Sequence, residues 1–343
     1  MKLKRLTLAL FIMMLVTSLS LSLTAEANNI RLSHDMVASE DNESHAMMMV
    51  LQHYINSGTD MEAEIHPDNV LGGMESIIEQ VHEGNIHIAI VSVGGMGHFY
   101  PEILMYNVDY IYPENEKLIA EFWSADNEFT ASVFDDVENE VGVKPMGLLR
   151  RGGWSVLTNS ERPIRTVDDM DGLTMRAMDS SQIELFNALG ADGVSVPWEE
   201  VYTALQTGVA DGQRNPATVF LDASLDEVQD YVTYPGLNPG GGLIIVNPDW
   251  YYGLSDEDRE IVDMALDNAF VTARGMSYRA VSMEQELLED AGFEIYNQTE
   301  EEFNEMREVG LEGMMDWAYD KFGEDFVDEF LGEIERLEEK HSQ

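Results

Sequence analysis

The feature that most constrains this sequence is a β-α-β-α-β pattern that occurs twice. In the first series, short apolar runs at 30–33, 62–66 and 86–93 predict strands, and the segments 44–55 and 73–82 between them carry apolar side chains at helical spacing. Strands that alternate with helices in this way pair in parallel. The first half of the chain therefore predicts a parallel sheet flanked by helices.

The second series follows the segment 143–149 and repeats the same order of elements. It comprises predicted strands at 173–177, 194–196 and 209–211 and predicted helices at 182–189 and 199–207, the first of which begins after Ser180 or Ser181 and stops at Gly190. Helical periodicity at 255–290 and 300–337 predicts two long helices that brace the halves. Two similar α/β halves in one chain predict two lobes that face each other across a cleft.

Polar side chains lie at the ends of the predicted strands, where open parallel sheets bind their ligands. These candidates are His34, Asp35, Ser92, Arg176, Arg214 and Asn215. Arg151 joins them, because six of the twelve arginines beyond residue 27 fall between 150 and 214. In a chain with 65 acidic and 19 basic residues, such a local cluster of arginines indicates a site for an anion.

Arg176 is the strongest of these candidates, because it ends a strand just before a predicted helix N-terminus, where the backbone already favours an anion. A guanidinium there can hold a carboxylate through two parallel hydrogen bonds. The alternative is a structural salt bridge to one of the many acidic residues. Trp198, directly after Pro197, either forms an apolar wall over a ligand or belongs to the core.

Motifs for a metal, a cofactor or catalysis are weak. Seven of the eight histidines lie between His34 and His98, but their spacing lacks the i, i+4 pair of a helical zinc site. Gly94-Gly95-Met96-Gly97 matches neither a dinucleotide fingerprint nor a phosphate loop, and no Gly-x-Ser-x-Gly elbow is present. We therefore expect no metal, no cofactor and no enzymatic activity, with a secreted hydrolase or lyase and a chaperone-like surface protein as alternative classes.

Residues 1–27 have the pattern of a secretory signal peptide. Lys2, Lys4 and Arg5 precede an apolar run at 6–23, and Ala25-Glu26-Ala27 supplies the small residues of a cleavage site near Ala27. A retained membrane anchor is the alternative, since the run is about 18 residues long. The chain contains no cysteine, so neither a disulfide nor a lipid-modified cysteine is possible. We expect an exported, periplasmic protein.

The formal net charge of −46 excludes nucleic acid as a partner. The acidic residues are spread along the whole chain, which is typical of a surface that is solvated at high salt. At about 1 M salt the screening length falls to about 3 Å, and the self-repulsion of such a surface is then muted. A salt-loving, halophilic source is the hypothesis that follows.

The segment 196–216, VPWEEVYTALQTGVADGQRNP, is similar to the solute receptors of tripartite ATP-independent periplasmic (TRAP) transporters, the DctP family. Three further segments resemble the family: LGG with IIEQ at 71–80, DGLTMR at 171–176 and YYGLS at 251–255. The resemblance extends over essentially the whole chain after the predicted signal peptide.

This resemblance implies a two-lobed periplasmic-binding-protein fold in which a long helix bridges both lobes. Lobe I would comprise 28–150 plus about 240–280, and lobe II 151–239 plus about 281–343. The resemblance further implies closure on a small carboxylate, such as a C4-dicarboxylate, and its delivery to membrane permease subunits driven by an ion gradient. Arg176 matches the arginine that binds the ligand carboxylate, Asn215 a ligand-contacting amide and Trp198 an aromatic wall. We expect a monomer.

Two departures from the family pattern leave the ligand open. Arg214 replaces the glutamate of the usual Gln-Glu-Asn-Pro, and Ser155 stands where a second arginine is common. Either Arg214 supplies a second cation for a dicarboxylate, or it faces away and Arg176 alone holds a monocarboxylate or zwitterion. The Arg-x-Met pattern at 176–178 and the Pro-Trp-x-Glu-Val-Tyr pattern at 197–202 are also similar to ectoine receptors. If the ligand is an ectoine, Asp35 would have to bind its cationic half.

Overall fold

The computed structural model describes residues 29–234 and 236–342, so the predicted signal peptide lies outside the described residues. The strands, in chain order, are β1 (Asn29–His34), β2 (Glu62–His66), β3 (Ile88–Ser92), β4 (Lys144–Arg150), β5 (Ser155–Asn159), β6 (Thr174–Ala177), β7 (Asp192–Ser195), β8 (Gly212–Pro216), β9 (Tyr231–Tyr234), β10 (Gly241–Val246) and β11 (Glu294–Asn297). The helices are α1 (Glu43–Gly58), α2 (Met74–His82), α3 (Val93–Met96), α4 (Glu116–Phe122), α5 (Glu128–Val141), α6 (Ser180–Ala188), α7 (Val201–Gln206), α8 (Ala217–Asp222), α9 (Pro248–Gly253), α10 (Asp256–Ala291), α11 (Glu300–Phe322) and α12 (Glu324–His341).

The strands form two sheets, one in each lobe. The first has the order β2-β1-β3-β10-β4 and the second the order β11-β9-β5-β8-β6-β7. In the first sheet β1 pairs in parallel with β2 and β3, as the sequence predicts. The sequence does not predict β10, which returns from the second lobe and lies antiparallel to both β3 and β4. In the second sheet β6 is parallel to β7 and β8, as predicted, whereas β5 is antiparallel to β8 and β9. Both sheets are therefore mixed.

Helix α10 spans the two lobes, as the sequence predicts. Its buried face consists largely of small residues, including Ala265, Ala269 and Ala273, which allow close packing against α1 and β4 of the first lobe. Towards its end the helix packs against α8 and β11 of the second lobe. Two loops, one after β4 and one before β10, also connect the lobes.

The predicted helix at 300–337 is in fact two helices. Gly323 has φ of 83° and ψ of 161°, a conformation that ends α11 and turns the chain into α12. Helix α11 packs against α6 of the second lobe, whereas α12 packs against α4 and α5 of the first. The rings of Phe122 and Phe330 are 4.9 Å apart at this contact. The last helix thus lies on lobe I, although the sequence-based division assigns it to lobe II.

Local capping fixes the helix ends that border the space between the lobes. Asn42 begins α1 by accepting the N–H groups of Ser44 and His45 at 2.9 and 3.2 Å. Asp179 begins α6 in the same way, with Ser181 and Gln182 as donors at 2.9 and 3.2 Å.

Within the described residues, no helix combines the length and the apolar character that crossing a membrane requires.

Candidate ligand-binding site

A small cavity of about 50 Å³ lies between the lobes, at the ends of the strands. Its walls come from both sheets and from the loops that connect the lobes. They comprise Asp35, Ser92, Gly94, Asn107, Arg151, Ser155, Arg176, Met178, Gln182, Trp198, Arg214, Asn215, Pro216, Val219, Gly240 and Gly241. Seven of the eight residues that the sequence singles out line this cavity, and His34 is the exception.

Arg176 lies on β6 and is 1% exposed. Its Nε donates to the carbonyl oxygen of Val196 at 2.8 Å, while Nη2 is buried without a partner. The guanidinium carbon lies 5.8 Å from the centroid of the Trp198 ring. Burial lowers the pKa of Arg176 to about 10, so the group is still cationic at neutral pH. A buried guanidinium with a free nitrogen facing a cavity calls for an anionic partner.

The helix N-terminus after Arg176 is already occupied by a side chain of the protein. Asp179 accepts the first free N–H groups of α6, and its other oxygen accepts from Asn107 Nδ2 at 2.9 Å. The sequence-based expectation that the helix backbone helps to hold an external anion is therefore wrong. Arg176 itself is the group that remains available.

Arg214 lies on β8, within the cavity wall, and pairs with Asp109 of the first lobe. The Nε of Arg214 lies 3.1 Å from Oδ2 of Asp109, at an angle outside hydrogen-bond geometry, and both side chains are almost completely buried. Nη2 of Arg214 also donates to the carbonyl oxygen of Asn107 at 3.2 Å. Burial raises the pKa of Asp109 to about 7, and the nearby guanidinium of Arg214 opposes that rise.

Arg151 and Asp35 form a second buried pair in the cavity wall. The two Nη atoms of Arg151 donate to the two carboxylate oxygens of Asp35 at 2.8 and 3.1 Å. This fork-to-fork geometry is the strongest form of an arginine–carboxylate contact. Asp35 therefore has both of its oxygens engaged by the protein itself.

Trp198 and Asn215 lie next to the arginines. Trp198 opens the short turn before α7 and is only partly buried, so one face is open to the cavity. Asn215 lies near the end of β8, and its Nδ2 donates to Oε1 of Gln213. Its own Oδ1 has no partner within the described residues. An apolar ring and a free amide oxygen beside a guanidinium can contact the carbon skeleton and a hydroxyl group of an acid.

The hydroxyl of Ser92 is engaged by the protein, and His34 lies outside the cavity wall, with its Nδ1 buried without a partner. The hydroxyl of Ser92 accepts the N–H of Gly95 at 2.9 Å and lies 2.9 Å from Met74 Sδ. His34 lies behind the cavity wall, with Nε2 at 3.0 Å from Nδ1 of His45. Burial lowers the pKa of His34 to about 3, so its ring is neutral at pH 7. His34 is thus part of the interior next to the cavity.

Direct hydrogen bonds join the lobes around the cavity. The Glu199 carboxylate accepts from Asn69 Nδ2 at 3.0 Å and from the N–H of Met74 at 3.2 Å, at the beginning of α2. On another side, Asn42 Nδ2 donates to Asp222 Oδ2 at 2.8 Å. The structure is therefore the closed form of the cleft.

Sequence reasoning missed Asn107, Asp109, Met178 and Gln182. Asn107 and Asp109 belong to an irregular segment of the first lobe that contacts the second. No periodicity marks such residues, since their position depends on long-range packing. Asp109 carries one weak signal, since it is the one charged residue in the stretch 103–112.

Other cavities and clusters do not offer comparable chemistry. A groove of about 570 Å³ lies on the outer side of the first lobe between α10 and β4, and its walls are mainly apolar. Among the described residues, histidine and acidic side chains do not gather in groups of three or more that could hold a metal ion. Arg150 also lines this groove at the end of β4, but it forms an ion pair with Glu116. Among the described cavities, the space between the lobes is the one where a buried arginine without an acidic partner lies in the wall.

The family model for bacterial extracellular solute-binding proteins, family 7, matches residues 34–321. Over 212 residues the chain is 31% identical to the ectoine/5-hydroxyectoine-binding periplasmic protein UehA of Ruegeria pomeroyi, and the match covers 62% of each chain. It is 26% identical to the ectoine-binding periplasmic protein TeaA of Halomonas elongata, over 74% of this chain and 73% of TeaA. The chain thus spans less than two thirds of the length of UehA.

Two solved structures have the same architecture. The periplasmic ectoine-binding protein of the TeaABC TRAP transporter of Halomonas elongata superposes with a TM-score of 0.82 at 23% identity, covering 90% of this chain and 99% of that protein. The sugar acid binding protein DctPAm of Advenella mimigardefordensis, solved in complex with galactonate, also gives 0.82 at 21% identity, covering 90% of this chain and 98% of DctPAm. These similarities confirm the predicted two-lobed α/β fold.

Proposed function

We propose that this chain, which belongs to the bacterial extracellular solute-binding protein family 7, is the receptor of a TRAP transporter. It binds a small organic acid between its lobes and delivers that acid to membrane permease subunits driven by an ion gradient. Relatives and structural neighbours support this role, since their names describe binding proteins for small acids and ectoines, several of them from TRAP systems.

The observation that carries the proposal is the state of Arg176. Its side chain is 1% exposed, its Nη2 has no partner, and the cavity lies directly against it. A ligand carboxylate placed there supplies the missing acceptors and compensates a charge that is costly to bury alone. Trp198 and Asn215 then contact the remainder of the ligand. A small carboxylate, the class that includes C4-dicarboxylates and related organic acids, supplies the group that Arg176 lacks.

Closure of the lobes links binding to delivery. Residues of both lobes line the cavity, and the Glu199 carboxylate of the second lobe accepts hydrogen bonds from the first. The ligand therefore favours the closed form by joining the two cavity walls. A permease that recognises the closed form receives only loaded receptors. We infer that the protein turns over no ligand and acts as a monomer.

The cellular setting follows from the sequence. The predicted signal peptide at 1–27 exports the chain to the periplasm, with cleavage near Ala27. The net charge of −46 suits a salt-rich medium, in which the surface charges are screened. We propose a halophilic source on this basis.

Ectoine is the second candidate ligand. It is favoured by the similarity to UehA and TeaA and by Trp198, whose partly buried ring is suited to a flat, partly cationic molecule. The contacts of Asp35 oppose this candidate, because both carboxylate oxygens are bound by Arg151. A zwitterion would have to compete with that pair for its cationic half.

The test is a thermal-shift screen followed by calorimetry, in about 2 M NaCl to screen self-repulsion. The panel contains dicarboxylates, hydroxy and keto acids, sugar acids, amino acids and ectoines. At about 100 times Kd a ligand of the native state adds about 2.7 kcal/mol of stability, which gives a clear shift. The amide of each hit, lacking the carboxylate, is the matched control. A panel without any hit, or chemical turnover of a hit detected by NMR, would contradict the proposal.

A further inference from the structure

Three arginines line the cavity. The number of negative charges that a ligand can carry into it depends on how many of these arginines are already paired with a carboxylate of the protein. Arg151, Arg176 and Arg214 all contribute to the wall. A buried guanidinium that already faces a carboxylate adds almost no net charge to the site, whereas an unpaired one requires an anion. The partners of each arginine therefore determine the charge of the ligand.

Two of the three arginines are compensated by aspartates. Arg151 has 8% side-chain exposure and Asp35 has 4%, and the pair shares two hydrogen bonds. Arg214 has 3% and Asp109 has 0%, with 3.1 Å between Nε and Oδ2. Because all four side chains are buried, water cannot replace either aspartate beside its arginine while the lobes are closed.

Arg176 is the remaining cation. Within the described part of the chain, no carboxylate oxygen lies within 4.0 Å of its guanidinium nitrogens. Asp179 and Glu199 act on it only at longer range, and each is engaged elsewhere: Asp179 with the start of α6, Glu199 with the N–H of Met74. The cavity therefore has one guanidinium that a ligand carboxylate can neutralise.

The remaining polar groups of the wall are uncharged. They are the side chains of Ser92, Asn107, Ser155, Gln182 and Asn215. Amides and hydroxyls donate to and accept from hydroxyl groups, whereas a second carboxylate next to them would be buried without a compensating charge. Asp35, the aspartate of the cavity wall, has both carboxylate oxygens bound by Arg151 and is not free for a cationic group of a ligand.

We propose that Asp35 and Asp109, by neutralising Arg151 and Arg214, restrict this site to acids with one carboxylate and an uncharged, hydroxylated remainder. This inference rests on the proposed receptor function and narrows its ligand class. Asp109 is the specificity-determining residue in this account, although it does not itself line the cavity. Of the two ligand classes that the sequence leaves open at Arg214, the monocarboxylate is the one that fits.

The test compares matched acids that differ by a single carboxylate. Galactonate and galactarate share a six-carbon hydroxylated skeleton, and succinamate and succinate share a four-carbon skeleton. Calorimetry at about pH 8.5, where Asp109 is ionised, gives their Kd values for the wild type, Asp109→Asn and the double variant Asp109→Asn/Arg214→Gln. Ectoine is measured alongside.

We expect the wild type to bind the monocarboxylate of a pair at least about tenfold more tightly than the dicarboxylate. Asp109→Asn leaves Arg214 uncompensated and should improve binding of the dicarboxylate by about tenfold or more. The double variant has no uncompensated charge at this position and should return the ratio towards that of the wild type. If Asp109→Asn does not fold, judged by circular dichroism, Asp35→Asn frees Arg151 in the same cavity and should shift the ratio in the same direction.

The possible failures are distinguishable. If the wild type prefers the dicarboxylate, or if neither aspartate variant changes the ratio, this inference is wrong while the receptor function stands. Tight binding of ectoine by the wild type would also overturn it, because the cationic half would then have found an acceptor. If no acid of the broader panel binds, the receptor function itself is wrong, and the inference is overturned with it.

Discussion

The substitution Arg176→Met removes the cation to which we assign the ligand carboxylate. Methionine matches the length and apolar stem of arginine, which matters because the side chain is 1% exposed and alanine would leave a cavity. The hydrogen bond from Nε to Val196 is lost as well, but this bond lies within the second lobe and does not hold the lobes together. We therefore expect a folded protein without tight binding.

The magnitude follows from the contacts that Arg176 has left to offer. Its Nε is already used, so a ligand carboxylate can accept from the two Nη groups. A hydrogen bond to a charged group contributes about 1.5–3 kcal/mol, so the loss of two should weaken binding by about 3–6 kcal/mol. Since about 1.4 kcal/mol corresponds to a factor of ten, Kd should rise by about 10²- to 10⁴-fold.

Calorimetry on the best ligand of the panel measures this change, and circular dichroism checks the fold. Arg165→Met is the matched control, because Arg165 is exposed and lies outside the cavity wall. Its guanidinium carbon lies 5.1 Å from the centroid of the Tyr296 ring. It changes the net charge equally and should leave Kd within about twofold. A folded Arg176→Met variant that binds with wild-type affinity would refute the assignment of this arginine.

Three further predictions concern closure, pH and salt. Glu199→Gln removes the negative charge from the group that accepts the Met74 N–H across the cleft, which weakens this contact between the lobes. The ligand should then dissociate about 3- to 30-fold faster in stopped-flow experiments. An unchanged dissociation rate would contradict a role of Glu199 in closure. Burial raises the pKa of Glu43 from 4.5 to about 7, so its effect on stability is most favourable below pH 4.5 and is lost as the pH rises through 7. Glu43→Gln should therefore unfold like the wild type near pH 4 but be more stable by up to about 3 kcal/mol near pH 8.5 in denaturant titrations. An equal difference at both pH values would refute this reasoning. Finally, the midpoint of thermal unfolding should rise between about 0.1 and 2 M NaCl, because the electrostatic screening length falls from about 10 Å to below 3 Å. A flat or falling midpoint would show that repulsion between surface charges does not limit the stability of the fold.

The regular elements could be predicted because their signals are local. Strand β1 is predicted at 30–33 and observed at Asn29–His34, and α10 is predicted at 255–290 and observed at Asp256–Ala291. In both cases the periodicity of buried side chains lies within the segment itself. The position of β10 in the first sheet could not be predicted, because its antiparallel pairing with β3 and β4 joins residues far apart in sequence.

The residues of the candidate site also fall into those that local sequence signals identify and those that only tertiary packing places. Arg176, Trp198 and Asn215 could be found because they lie at strand ends or beside a recognisable motif. The partner of Arg214 could not be found, since Asp109 lies about a hundred residues earlier in an irregular segment. His34 follows a strand as expected, yet the first sheet turns its ring towards His45 and away from the cavity. Strand ends indicate where a site is, whereas tertiary packing decides which side chains face it.

Burial explains how so acidic a chain could bind an anion, as we propose. The net charge of −46 repels anions at low salt, and high salt screens attraction between exposed charges as fully as repulsion. An exposed arginine would therefore be a weak anchor in either condition. Arg176 is buried where screening ions do not enter, so its attraction for a carboxylate persists at high salt. The same burial makes every uncompensated charge costly, so we expect the pairing of Arg151 with Asp35 and of Arg214 with Asp109 to determine which acids the cavity accepts.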